Sequence, residues 1–269
     1  MTDTTQYVEN ANAERVAEAA RALAASGVAP VEIDYTPVSD PYGEEISALI
    51  VRYRIRSLET GTAEENAIER LPRRAAVELF YRLTGKALAT IKKLREIGSP
   101  VKWIAVPCPD ELLRTTDAGE RIREITQGDR AIRGVRVLFG KSALSDPSAF
   151  RAIASELGNE GIASVVEGFG EKDFPMLDLI EIAPDALIMT GLIEKLNDRN
   201  KTAAVRAVID CGKAAGAEII AAGVENDTQA RELRGADVFG IIPSADYDGA
   251  FGFVKGKIGL DELFYRRED

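Results

Sequence analysis

From Val101 onward the chain repeats one pattern, a short apolar run followed by a helical stretch, and this pattern most narrows the folds open to it. The runs are Val101 to Val106, Gly134 to Phe139, Ile162 to Val166, Leu187 to Met189, Glu218 to Ala222 and Ala236 to Ile242. A strand buried on both faces reads as a near-continuous apolar run, and a parallel neighbour needs a crossover helix to return the chain. The alternation therefore predicts βαβ units with a helix-covered parallel sheet.

The beginning differs. Residues 10–26 carry Val16, Ala19, Ala20 and Leu23 on one helical face, with Gly27 as a stop. Residues 1–9 read as a flexible N-terminus. Val31 to Val38 alternates like a strand, Asp40-Pro41-Tyr42-Gly43 is a turn, and Glu45 to Ser57 is a second strand. Together they predict an antiparallel hairpin. Residues 60–71 read as a surface connection, and Pro72 opens a helical stretch over 72–97. Helical residues follow Val106 to about Thr126. The count reaches about eight strands, the number a closed α/β barrel needs. The expected fold is a single domain over 1–269, a TIM-like (β/α)8 barrel with an antiparallel first strand. A doubly wound open sheet is the alternative. In either fold, function gathers at the C-terminal ends of the strands.

Composition removes whole classes of chemistry. The chain has no histidine, which excludes Ser-His-Asp and Cys-His catalysis and His-ligated zinc. Cys108 and Cys211 are far apart and read as reduced thiols. A net charge of −10 disfavours sequence-independent nucleic-acid binding. No apolar run approaches the length of a membrane helix, and the first residues lack the pattern of a signal peptide. The expectation is a soluble cytoplasmic protein that engages neither nucleic acid nor membrane.

At the expected strand ends, acids are scarce. Val106 runs into Pro107, Phe139 into Gly140-Lys141, and Val166 into Glu167-Gly168-Phe169-Gly170. Ile188-Met189-Thr190 follows, and then Ala221-Ala222-Gly223-Val224-Glu225. A metal hydrolase needs several converging oxygen ligands. Only Glu167 and Glu225 are acids here. Lys141 and Lys255 are the candidate nucleophiles for any other chemistry, with Glu167 as a base, and nothing in the sequence pairs them.

Tyr35-Thr36-Pro37-Val38, Glu167-Gly168-Phe169-Gly170, and Ala221-Ala222-Gly223-Val224-Glu225 with Gln229, Leu233 and Phe239-Gly240 resemble an EAL domain, across about residues 10–255. The resemblance implies a barrel of the kind that linearises cyclic di-GMP with two Mg²⁺ or Mn²⁺ ions. It also implies that the family's machinery is replaced here. The signature acid of the second strand falls on Ser47, or on Glu45 after a two-residue slip. The metal-binding asparagine falls on Pro107, the fourth-strand glutamates on Leu138 and Lys141, and the aspartate pair on Glu167 and Gly168. The catalytic lysine falls on Ile188, the late glutamate on Ala222, and the nucleotide-contacting glutamine on Phe239. Glu225 matches, and Arg52 matches a phosphate-contacting arginine if the register slips by one.

The resulting expectation is a degenerate EAL domain with no catalytic residues, no metal ligands and no cofactor. It would act as a regulatory protein in bacterial signalling through an unidentified protein partner. The alternative is a metal-independent cyclic di-GMP receptor. Candidate ligand-binding residues are Arg52, Glu167, Glu225 and Phe239. Each also has a plain structural reading: a solvated strand position for Arg52, helix-opening acids for Glu167 and Glu225, a core aromatic for Phe239. A homodimer through the loop Gly170-Glu171-Lys172-Asp173-Phe174 is also implied by the resemblance, although that loop departs from the family's small-residue pattern.

Overall fold

A computed structural model of the chain describes residues 31–56, 63–65 and 73–259. The expected helix over 10–26 and the N-terminal tail lie outside the described residues. The strands are β1 (Val31–Ser39), β2 (Ile46–Arg56), β3 (Ala63–Glu65), β4 (Trp103–Pro107), β5 (Val135–Phe139), β6 (Ala163–Phe169), β7 (Ala186–Met189), β8 (Glu218–Val224) and β9 (Gly240–Pro243). The helices are α1 (Arg73–Glu96), α2 (Ala118–Thr126), α3 (Pro147–Asn159), α4 (Leu179–Ile182), α5 (Arg199–Ala214) and α6 (Asp227–Gly235).

The sheet runs β1-β9-β8-β7-β6-β5-β4-β2-β3 and closes because β1 also pairs with β2. The closed barrel therefore excludes the open-sheet alternative. β1 is antiparallel to both neighbours, and β2 and β4 to β9 run parallel. The Asp40–Glu45 turn explains the hairpin: the Asp40 carboxylate accepts from the N–H groups of Tyr42, Glu44 and Glu45. The stretch read as a plain connection over 60–71 contains β3. Its three residues pair antiparallel with Arg54–Arg56, beyond the part of β2 that pairs with β4.

Strand alternation splits the core in two. Val38, Ala48, Ile50, Trp103, Ala105, Leu138, Val165, Ala186, Ile188 and Ile220 fill the barrel interior. The intervening residues pack outward against the helices, as Phe139 does edge-on against Phe150 of α3. Helix ends are capped by sequence: Asp146 accepts from the Ala149 N–H before α3, with Pro147 at its first turn. Gly212 lets α5 lie close on the sheet, since a Cβ there would stand 2.7 Å from Ile219 and 3.1 Å from Leu187. The stretch after Val106 is a 3₁₀ turn, Asp110–Arg114, followed by α2 rather than one helix. No helix among the described residues is long and apolar enough to cross a membrane.

Candidate functional site

The parallel strands end together at one mouth of the barrel, and their inward positions define what a ligand there would meet. On β2 the inward residues are Ala48 and Ile50, while Leu49 and Val51 pack outward. Alternation places Ser47 on the outward side. A metal-binding acid must point inward, so the position implied by the resemblance is Ala48, not Ser47 and not Glu45. The same one-residue slip brings Arg52 into match.

Arg52 continues the inward series above Ile50. Its Nε donates to the Thr36 hydroxyl at 3.1 Å. Next to it, Arg54 donates to Asp34 at 2.8 Å and lies 3.5 Å from Glu32, which ties the mouth ends of β1 and β2 together. These acids of β1 are thereby engaged by a guanidinium.

Glu167 lies on β6 level with Ile188 of β7, just before a bulge. Beside it, the methylenes of Lys141 cross over Gly168: a Cβ at Gly168 would lie 3.2 Å from Lys141 Cβ. The Lys141 ammonium forms an ion pair with Glu171 in the loop after β6. Glu171 in turn accepts from the Thr190 hydroxyl at 2.7 Å, just past β7. The ammonium and the hydroxyl hold the Glu171 carboxyl below the usual carboxylate range, and Glu171 raises Lys141. A lysine kept protonated is a poor nucleophile. Lys255 donates to the Tyr247 carbonyl at 2.6 Å and forms part of the C-terminal packing.

The bridge rests on a close backbone approach. The Gly191 Cα faces the Gly170 carbonyl so closely that a Cβ would stand 2.3 Å from its oxygen. No sequence signal pairs Lys141 with Glu171, because they are 30 residues apart and on different elements.

Glu225 lies beyond β8 and is exposed. Its N–H donates to Gln229 Oε1 at 2.7 Å, while the Gln229 N–H donates to Asn226 Oδ1 at 3.1 Å. Asn226 thus caps α6, and Glu225 joins this arrangement through its backbone N–H. Among the described residues no hydrogen bond or ion pair joins Arg52, Glu167 and Glu225.

Phe239 is not at this mouth. Gly240 pairs with Ile220, and the Phe239 N–H donates to Ile219 O at 2.7 Å, near the start of β8. Phe239 stacks on Trp103 with centroids 5.6 Å apart, with the Lys102 ammonium 5.1 Å from its centroid. The Arg136 guanidinium covers Trp103 at 4.4 Å and pairs with Glu218 at 2.6 Å. All of these belong to strand starts, so the cluster closes the opposite end of the barrel. The reason is local: Ala236 caps α6 and Asp237 takes a left-handed φ of 54°, so the last strand begins at Gly240. The residue level with Ala222 on the last strand is Ile242, not Phe239.

The barrel interior and its strand ends thus carry Ala48, Ile50, Pro107, Leu138, Ile188, Ala222 and Ile242, and Lys141, lying over Gly168, is paired with Glu171. Among the described residues no three acids or thiols converge as metal ligands. Two adjacent dications repel strongly and need surrounding anions, so this set does not fit a pair of Mg²⁺ or Mn²⁺ ions.

The EAL domain family profile matches residues 17–241. No curated protein matches the chain in sequence. Among solved structures the chain is similar to the PaMucR phosphodiesterase in its c-di-GMP complex, with 15% identity, 87% of this chain and 94% of that one covered, and a TM-score of 0.69. It is similar to the EAL domain of Mycobacterium smegmatis DcpA, with 19% identity, 87% and 95% covered, and a TM-score of 0.65. It is also similar to the EAL domain of Xanthomonas citri FimX in complex with c-diGMP, with 15% identity, 87% and 93% covered, and a TM-score of 0.70. At these identities the likeness establishes the fold.

Proposed function

This chain belongs to the EAL domain family, and on that premise we propose that it is a regulatory member of cyclic di-GMP signalling that hydrolyses nothing. It works in the cytoplasm through a protein partner, and needs no metal or cofactor. The observation that carries this reading is the Lys141–Glu171–Thr190 bridge. The Lys141 ammonium, paired with Glu171 in the loop after β6, puts a positive charge near that strand end, and it repels a dication there. The apolar side chains of Leu138, Ile188 and Ala222 supply no oxygen donors to compensate.

The test is direct. Purified protein is incubated with cyclic di-GMP and Mn²⁺ or Mg²⁺, and linear product is sought by chromatography. Metal-dependent turnover abolished by EDTA would refute the reading.

A second reading is a metal-independent cyclic di-GMP receptor. Arg52 favours it, because its Nε–Thr36 bond leaves the other guanidinium donors without a hydrogen-bond partner among the described residues. Solved relatives are described as c-di-GMP complexes. Isothermal titration with and without Mg²⁺ separates the two: micromolar binding lost in Arg52→Ala establishes the receptor, and no heat supports a partner-only role.

A further inference from the structure

Three arginines without a carboxylate partner among the described residues border one groove on the outer rim of the barrel mouth. The groove has a volume of about 430 Å³. One wall is a single stripe of α1, carrying Arg73, Arg74, Val77 and Tyr81; the other is formed after β4, with Arg114 and Asp117. Arg121 also borders it, but that guanidinium is committed, 3.2 Å from Glu78 and 5.2 Å over the Tyr81 ring. Among the described residues, Arg73, Arg74 and Arg114 form no ion pair, although Glu111 and Asp117 border the same groove.

Arg73 and Arg114 also border a second hollow of about 170 Å³ on the far side. Arg73, Glu111 and Arg114 therefore line both hollows, and among the described residues no acid is ion-paired with either arginine. Like charges held together raise the energy of the free protein and favour an anion between them. In a chain of net charge −10, such a cluster is not a product of general basic character.

We propose that this groove binds a phosphate monoester, gripped by Arg114 from one wall and by Arg73 and Arg74 from the other. A phosphoryl group presents acceptor oxygens in three dimensions and satisfies donors arriving from two walls, whereas a planar carboxylate satisfies one guanidinium fork. The remaining volume admits a small organic body on the ester oxygen, bedded against Val77 and Tyr81. This site is outside the barrel mouth, so its existence does not depend on whether cyclic di-GMP binds there.

The probes are inorganic phosphate and glycerol 3-phosphate, titrated into the full chain at low salt by calorimetry. Saturable binding is expected for both. Arg114→Gln, and Arg73→Gln with Arg74→Gln, should each weaken it about tenfold or more, the effect of losing a charge-assisted hydrogen bond. Arg199→Gln, an exposed arginine on α5, should leave affinity unchanged, and circular dichroism should show every variant folded. Tighter binding of glycerol 3-phosphate than of phosphate supports a seat for the ester body. No saturation, a response reproduced by sodium chloride at equal ionic strength, or equal weakening by Arg199→Gln overturns the proposal.

Discussion

Replacing Gly191 by alanine tests the close backbone approach that supports the mouth. The new Cβ would stand 2.3 Å from the Gly170 carbonyl oxygen, 2.5 Å from its carbon and 2.8 Å from the Glu171 nitrogen. All three atoms are backbone, so no side-chain rotation relieves the contact. Reaching ordinary van der Waals separation requires the two segments to part by about 1 Å. Overpacking of this kind costs about 1–3 kcal/mol. For a chain of this size that lowers the melting temperature by roughly 2–10 °C. The movement also carries Glu171 away from Thr190, whose hydroxyl it accepts at 2.7 Å. Thermal denaturation followed by circular dichroism reads the first effect, and hydrogen exchange of the peptide over 170–178 reads the second. Gly158→Ala is the control: nothing lies within 4 Å of its Cβ, and it occupies a helix where alanine is preferred by up to about 1 kcal/mol. If Gly191→Ala melts with the wild type and exchanges alike, the approach of Gly170 to Gly191 is not as described and the reasoning fails.

Further outcomes follow from the same geometry. Lys141→Ala should loosen the 170–178 loop at pH 7 but not in acid; since Glu171 has a depressed pKa, its contribution is present above the ordinary carboxyl value of 4.5 and is lost as pH falls through the depressed one. Hydrogen exchange of variant and wild type compared at both pH values shows whether the difference disappears. Ala222→Glu alone should confer no Mn²⁺-dependent hydrolysis, because one carboxylate level with the apolar Ile242 does not assemble a metal site; appearance of linear dinucleotide would contradict this. Thr90→Val should destabilise by about 1–3 kcal/mol in urea denaturation, because it leaves the buried Tyr35 hydroxyl, now bonded to Thr90 at 3.1 Å, without a partner.

The barrel was legible because its strands are buried on both faces and therefore read as apolar runs. The hairpin was legible from Asp40 and Gly43 in its turn. Less visible was the register of the individual strands. Ser47 and Ala48 are both small and adjacent, and only the inward series Ala48, Ile50 and the outward series Leu49, Val51 decides between them. Phe239 precedes the last strand because Asp237 adopts a left-handed turn, which its residue type permits but does not announce. The Lys141–Glu171 pair joins two loops through tertiary structure alone. Charge complementarity of that kind needs the fold before it can be seen.

The seam where the barrel closes has a practical consequence. β1 meets β9 through a single residue pair, Ser39 with Ile241. Further along the same edge, Ile258 exchanges two backbone hydrogen bonds with Tyr35, each 2.9 Å. The segment after the last strand therefore acts as a zip over this edge of β1. A chain trimmed just after residue 241, where the family match stops, would expose the backbone groups of Tyr35 to any strand that could pair with them. Its behaviour in solution would then reflect strand-to-strand association between copies rather than any property of the site. Recombinant boundaries drawn for this domain should retain Ile258.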